Sequence, residues 1–189
     1  DSMQGKHGPA ADDVREHFDA VRKSIEYLQN LAKGLSLLAI DPDVQSDAGG
    51  AVNVAKWWQQ TEPLLKSALP RRCVLEHEVP ADIPPVAIHH HLLTQAVFNL
   101  VQNAASAISS MSVDSSFRGM IRVAVSFSEA DGMIRLVVSD NGPGMTAEVK
   151  AHCIEPFFTT KTRGMSTGLG LAVVHGIVQR ANGTLEIDS

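Results

Sequence analysis

At 189 residues, 44% hydrophobic and 20% charged, the chain is long enough to bury a sizeable core and suits one ordinary domain with an attached element. A formal net charge of −5 without any Lys/Arg run argues against nucleic acid as a partner, since that would need a basic face to displace phosphate counterions. Cys73 and Cys153 lie far apart with no Cys-x-x-Cys spacing, which speaks against a disulfide framework or zinc site and fits a reducing cytoplasm, and no apolar run approaches the roughly 20 residues of a bilayer span.

From Asp12 to Leu38 the apolar positions Val14, Phe18, Val21, Ile25, Leu28, Ala32 and Leu35 alternate at spacings of four and three, a heptad seam. Such a narrow stripe calls for a partner helix, from this chain or another, with a helix packed on its own domain as the alternative. The polar, Gly-rich run Ser46 to Gly50 reads as a linker. Beyond it, Val54 to Leu69 predicts a helix interrupted or bent near Pro63, Arg72 to Val79 alternates as a strand, and His90 to Met111 is a long helix. Strands over Met120–Phe127 and Met133–Asp140 are joined by the hairpin signal Glu129 to Gly132, making them antiparallel neighbours. A short helix near Ala147–Cys153, an irregular segment, a helix over Leu169–Arg180 and a strand at Thr184–Ile187 complete an α+β order rather than βαβ repeats.

The stretch Ser139-Asp-Asn-Gly-Pro-Gly-Met-Thr-Ala147 satisfies the G-x-G-x-x-G/A pattern of a dinucleotide loop, with Asn-Gly and Pro-Gly turn chemistry as the alternative. A dinucleotide fold also needs a parallel βαβ unit and an acid about 20 residues onward, where this chain reads Phe-Phe-Thr-Thr-Lys-Thr. No Gly-Lys-Ser/Thr run supports a Walker loop. On the long helix, Asn99 and Asn103 share one face, where their amide oxygens suit Mg²⁺ or, alternatively, cap neighbouring loops. Downstream, Glu155 to Lys161 precedes Thr162 to Gly170, which has the make-up of a phosphate lid. Gly164, Gly168 and Gly170 allow close backbone approach, Thr159, Thr160, Ser166 and Thr167 offer hydroxyls, and Lys161 and Arg163 add charge. The alternative is a surface loop anchored in the core by Phe157 and Phe158.

Taken in order, Asn99–Ala104, Asp140–Gly144, Glu155–Lys161 and Gly168–Leu171 resemble the N box, first glycine box, F box and second glycine box of sensor histidine kinase catalytic domains, in the Bergerat-fold ATPase superfamily. The compact lid and Phe-Phe-Thr-Thr-Lys are similar to the nitrogen-sensor subgroup. The resemblance implies a two-layer α/β sandwich over residues 51–189, lacking its last strand, preceded by a helical arm over residues 1–50 similar to the second helix of a dimerisation hairpin. It further implies an ATP site in which Asp140 reads the adenine amino group, Gly142 and Gly144 pass close to the base, and Asn103, assisted by Asn99, holds Mg²⁺. Thr160, Lys161, Thr167, Gly168, Leu169 and Gly170 would close over the polyphosphate, with Asn99 and Lys161 as the catalytic pair.

Hydrolytic relatives place a Glu where this chain has Asn99, and a carboxamide is a poor base, so transfer to a protein histidine is expected rather than rapid hydrolysis. The implied partners are a second kinase protomer and a response-regulator receiver domain, in the cytoplasm, with no direct membrane contact by these residues. A serine-directed anti-sigma-type kinase of the same fold and a catalytically lapsed nucleotide-binding dimerisation module are the rival readings. Two departures stand out: the chain shows no first hairpin helix carrying a phosphoacceptor histidine followed by an acidic residue, His17 beside the seam being followed by Phe18, and Ser106 stands where many members carry a basic residue.

Overall fold

The computed structural model describes residues 14, 17, 18, 21, 50–111, 117–161 and 166–189. Val14, Phe18 and Val21 of the heptad seam have helical backbone and exposed side chains. The rest of the seam, the linker before Gly50, and Thr162, Arg163 and Gly164 of the lid lie outside the described residues.

The first helix, α1 (Val54–Ala68), starts where Asn53 accepts a 2.8 Å hydrogen bond from the Lys56 N–H, a side-chain cap for an otherwise unpaired amide. Val54, Trp57, Trp58, Thr61 and Leu65 recur at helical spacing and are all buried. Of the interruption or bend expected near Pro63 the interruption is absent: Pro63 sits inside one continuous helix, exposed on its outer side. A proline there forfeits one helical bond at a cost of about 3 kcal/mol, which the buried tryptophan face offsets. The second helix, α2 (His90–Ser110), buries Leu93, Ala96, Val97, Val101, Ala104, Ala105 and Ile108. Trp57 Nε1 donates to Thr94 Oγ1 at 2.9 Å and ties the two helices together.

Two sheets accompany these helices. Strands β1 (Ala51–Val52) and β3 (Val86–Ala87) form a small antiparallel pair that the sequence pattern did not reveal. Strands β2 (Cys73–Glu78), β4 (Gly119–Ser128) and β5 (Met133–Asp140) form the main sheet in the order β2-β4-β5. The β4–β5 hairpin is antiparallel as expected, with Ile121 opposite Asp140 and Ser128 opposite Met133. β2 and β4 run parallel with α2 between them in the chain, so one βαβ unit is present within the α+β order. It does not carry the glycine loop, which leaves β5 instead.

Along β4, Ile121, Val123 and Val125 are buried beneath the helices, while Met120 and Arg122 face outward. These residues, with α1, α2 and Leu75, form the main core. A second core joins Ala96 of α2 to Leu169 and to Val173, Val174 and Ile177 of α4 (Gly170–Arg180). The helix α2 is therefore packed on two sides, against the sheet and against α4.

The expected strand at Thr184–Ile187 is not one: the segment keeps a period-two alternation, with Leu185 and Ile187 half-buried, but has no backbone ladder. Glu186 pairs with Arg135, Asp188 with Lys150, and the Ser189 hydroxyl accepts from the Met145 N–H, so side chains hold it in place. Alternation reports which side faces the core; it does not report whether the backbone is paired. Among the described residues no helix is long and apolar enough to cross a membrane.

Candidate functional site

The motif residues converge on one face of α2. Asn99, Asn103 and Ala107 follow each other at four-residue intervals, so each step advances about 6 Å along that face. At the Ala107 end stands the loop after β5: a methyl group placed on Gly142 would be 3.4 Å from the Ala107 methyl and 3.6 Å from the Ile108 nitrogen. Around Asn103 stands the start of α4, where a methyl group on Gly170 would be 3.3 Å from Asn103 Nδ2. The helix α2 thus runs as a ruler beneath two glycine-rich loops.

At the first end, Asp140 is the last residue of β5, and its Oδ1 accepts a 2.8 Å hydrogen bond from the Gly142 N–H. The bond fixes the carboxylate and leaves Oδ2 available to a further donor. Gly142 must lack a side chain, because a β-carbon there would stand 2.6 Å from Asp140 Oδ1. Gly144 follows with φ 72°, beside the Ser189 hydroxyl. Asn141, which sequence patterns place only in a turn, bonds the start of β4 through both ends of its side-chain amide.

Next comes α3 (Ala147–His152), capped by Thr146 Oγ1, which accepts from the Val149 N–H at 3.3 Å. His152 Nδ1 lies 2.7 Å from Glu155 Oε1, and the His152 ring stacks on Phe158 with centroids 5.6 Å apart. Phe158 is half-buried against His152 and belongs to neither core, and Phe157 is 55% exposed, so the expected pair of core anchors is not found. The reason is backbone conformation: Phe157 has φ 68°, in the left-handed region. Holding a non-glycine residue there costs roughly 1–2 kcal/mol. What holds it is Gly168, whose carbonyl accepts a 2.9 Å bond from the Phe157 N–H.

That bond closes the base of the lid. Gly168 itself has φ 65°, and a β-carbon there would come within 2.7 Å of the Phe157 and Phe158 carbonyl oxygens, so only glycine fits. Thr159 Oγ1, Ser166 Oγ and Thr167 Oγ1 accept from the Lys161, Gly168 and Leu169 N–H groups respectively, which leaves each hydroxyl hydrogen free to donate outward. Thr160 is exposed. Leu169 differs from the other lid residues: its side chain is buried at 1% exposure, so it anchors α4 in the second core instead of lining the cleft.

The start of α4 has no side-chain cap, so its first N–H groups face the Asn103 end of the cleft with the positive end of the helix dipole. Such an arrangement suits a phosphate. Lys161 is partly buried, and this burial pushes its ammonium group below the usual lysine range. Among the described residues it has no ion-pair partner, and an anion beside it would reverse that shift. Asn99 and Asn103 are both half-buried, and among the described residues neither side chain makes a hydrogen bond. An uncommitted carboxamide at Asn103 beside this helix start, with Asn99 one turn back on the same face of α2, fits a hard divalent cation shared with a ligand's oxygens, whereas the described residues contain no His/Cys/Asp/Glu group able to hold a metal alone.

Comparison with known proteins agrees with this geometry. Residues 89–189 match the family model for histidine kinase-, DNA gyrase B-, and HSP90-like ATPases. The chain is 32% identical over 145 residues to the sensory histidine kinase/phosphatase NtrB of Rhizobium meliloti (strain 1021), covering 73% of this chain and 37% of that protein. To the sensor histidine kinase ZraS of Escherichia coli (strain K12) it is 36% identical over 107 residues, covering 57% of this chain and 21% of that protein. The chain therefore spans well under half the length of these relatives. Among solved structures, the nucleotide-free catalytic domain of histidine kinase ThkA matches with a TM-score of 0.56 at 26% identity, over 69% of this chain and 79% of that one. From the α2–β5–α4 arrangement and the match over residues 89–189, the chain belongs to the histidine kinase-, DNA gyrase B-, and HSP90-like ATPase family.

Proposed function

We propose that residues 51–189 are the ATP-binding catalytic domain of a cytoplasmic sensor histidine kinase and residues 1–50 an arm contributing to its dimerisation hairpin. The reaction is transfer of the ATP γ-phosphoryl group to a histidine, with a second protomer and a response-regulator receiver domain as the protein partners. One observation carries the reading: a single face of α2 links a free carboxylate oxygen near Ala107 to an uncapped helix N-terminus at Asn103. The spacing suits a ligand with an amino-bearing ring at one end and polyphosphate at the other.

In this reading Asp140 Oδ2 accepts from the adenine amino group, and Gly142 and Gly144 let the base approach the backbone. Asn103, with Asn99, holds Mg²⁺, which when bound neutralises phosphate charge and orients the γ-phosphoryl group. Thr160, Thr167, Gly168 and Gly170 line the phosphate end, while Leu169 sets the start of α4. Lys161 stabilises the charge of the transferring group. Asn99 in place of an acid leaves no strong base for water at that position, which favours a protein acceptor over hydrolysis.

Calorimetric titration with a non-hydrolysable ATP analogue tests the site, with binding expected to strengthen when Mg²⁺ is added. Failure to bind under either condition would refute the reading. The lid base has its own test: a β-carbon at Gly168 would press on the Phe157 and Phe158 carbonyls and displace the lid base, so Gly168→Ala should lower affinity for the triphosphate analogue by about tenfold, or roughly 1.4 kcal/mol. Adenosine binding should change far less, because the substitution acts at the phosphate end. An equal loss for both ligands would instead indicate damage to the whole fold.

A further inference from the structure

We infer that Asn141 is a positioning residue for the base-reading carboxylate, releasing the chain from the sheet at a fixed angle by substituting its side-chain amide for missing backbone partners. The observations begin with register. Ile121 lies opposite Asp140, so a continued ladder would set Met120 opposite Asn141 and Arg118 opposite Pro143. In an antiparallel pair of the hydrogen-bonded kind, two opposed residues exchange both N–H···O=C bonds. Here only one backbone bond forms, from the Asn141 N–H to the Met120 carbonyl at 3.2 Å.

The reciprocal bond goes to the side chain: the Met120 N–H donates to Asn141 Oδ1 at 2.8 Å. The Asn141 main-chain carbonyl is thereby released from the ladder and can turn away. One step farther, the Arg118 carbonyl would require an N–H from Pro143, which has none. Asn141 Nδ2 supplies that donor at 3.0 Å. A single carboxamide thus closes both open positions at the start of β4. The next residue, Gly142, presents the N–H that grips Asp140 Oδ1, so the aim of the carboxylate depends on where Asn141 leaves the chain.

This inference rests on the proposed adenine-reading role of Asp140, and the test separates the two. ATP and inosine triphosphate are titrated, the latter carrying a carbonyl oxygen where adenine has its amino group. Asn141→Ala should weaken ATP binding by about tenfold with a much smaller loss for inosine triphosphate, and should remove hydrogen-exchange protection at the Gly142 amide. Asn141→Asp keeps an acceptor for the Met120 N–H but loses the donor to Arg118, so it should fall between wild type and Asn141→Ala. Asp131→Ala serves as the stability control, because Asp131 braces the opposite end of the same hairpin through the Met133 N–H; its ATP preference should match wild type. If Asp140→Asn abolishes the ATP preference but both Asn141 variants retain it, the positioning role is overturned and the adenine assignment stands. If Asp140→Asn also retains it, both are overturned.

Discussion

Replacing Asp140 by Asn is expected to weaken ATP binding by about 10- to 100-fold while leaving the melting temperature nearly unchanged. Stability should survive because the carboxamide oxygen can still accept from the Gly142 N–H, as Asp140 Oδ1 does at 2.8 Å. Its remaining group is then an NH₂, a donor facing the adenine amino donor. Hydrogen bonds to charged groups contribute roughly 1.5–3 kcal/mol, and each 1.4 kcal/mol is tenfold in affinity. Calorimetry with a non-hydrolysable ATP analogue measures the change directly. Unchanged affinity would place the base elsewhere and remove the first glycine loop from the site.

The second large effect is expected at Lys161, and it should appear in rate more than in binding. Its ammonium is partly buried, is shifted below its ordinary range by that burial, and has no ion-pair partner among the described residues. A charge held in this way is stabilised most when negative charge arrives beside it. Phosphoryl transfer relies on positioning and charge stabilisation, and losing one preorganised donor typically costs about 10²–10³ in rate. Lys161→Ala should therefore slow transfer by about 100-fold while the nucleotide dissociation constant changes by less than about threefold. Equal losses in rate and binding would mean that Lys161 holds ground state and transition state alike.

Much of this site was legible because its signals are local. The helix carrying Asn99 and Asn103 and the hairpin ending at Asp140 follow from periodicities of 3.6 and 2, and their observed limits lie close to the expected ones. The features that escaped prediction depend on contacts distant in sequence. The parallel pairing of Cys73 with Gly119 and the two-residue ladder of Ala51 with Ala87 involve no turn that could announce them. Phe157 looked like core because it is aromatic, yet a bond to Gly168 holds its backbone left-handed and its ring is exposed. Asn141 looked like turn chemistry alone; its second role appears only when the β4–β5 register brings Arg118 opposite Pro143.

The heptad seam and the proposed acceptor histidine bear on the same question, since in the proposed function the catalytic domain acts on a helix outside the pocket. In that proposal Asn99 matters because a carboxamide is a poor base for water, which favours an acceptor brought by a partner surface. Phosphotransfer from γ-labelled ATP in the presence of Mg²⁺ to a separately supplied dimerisation hairpin tests this most directly. The account predicts label on the hairpin that is lost in acid and retained in base, as for phosphohistidine, with little free phosphate released when the hairpin is omitted. Acid-stable label, or rapid phosphate release that does not depend on the hairpin, would contradict it.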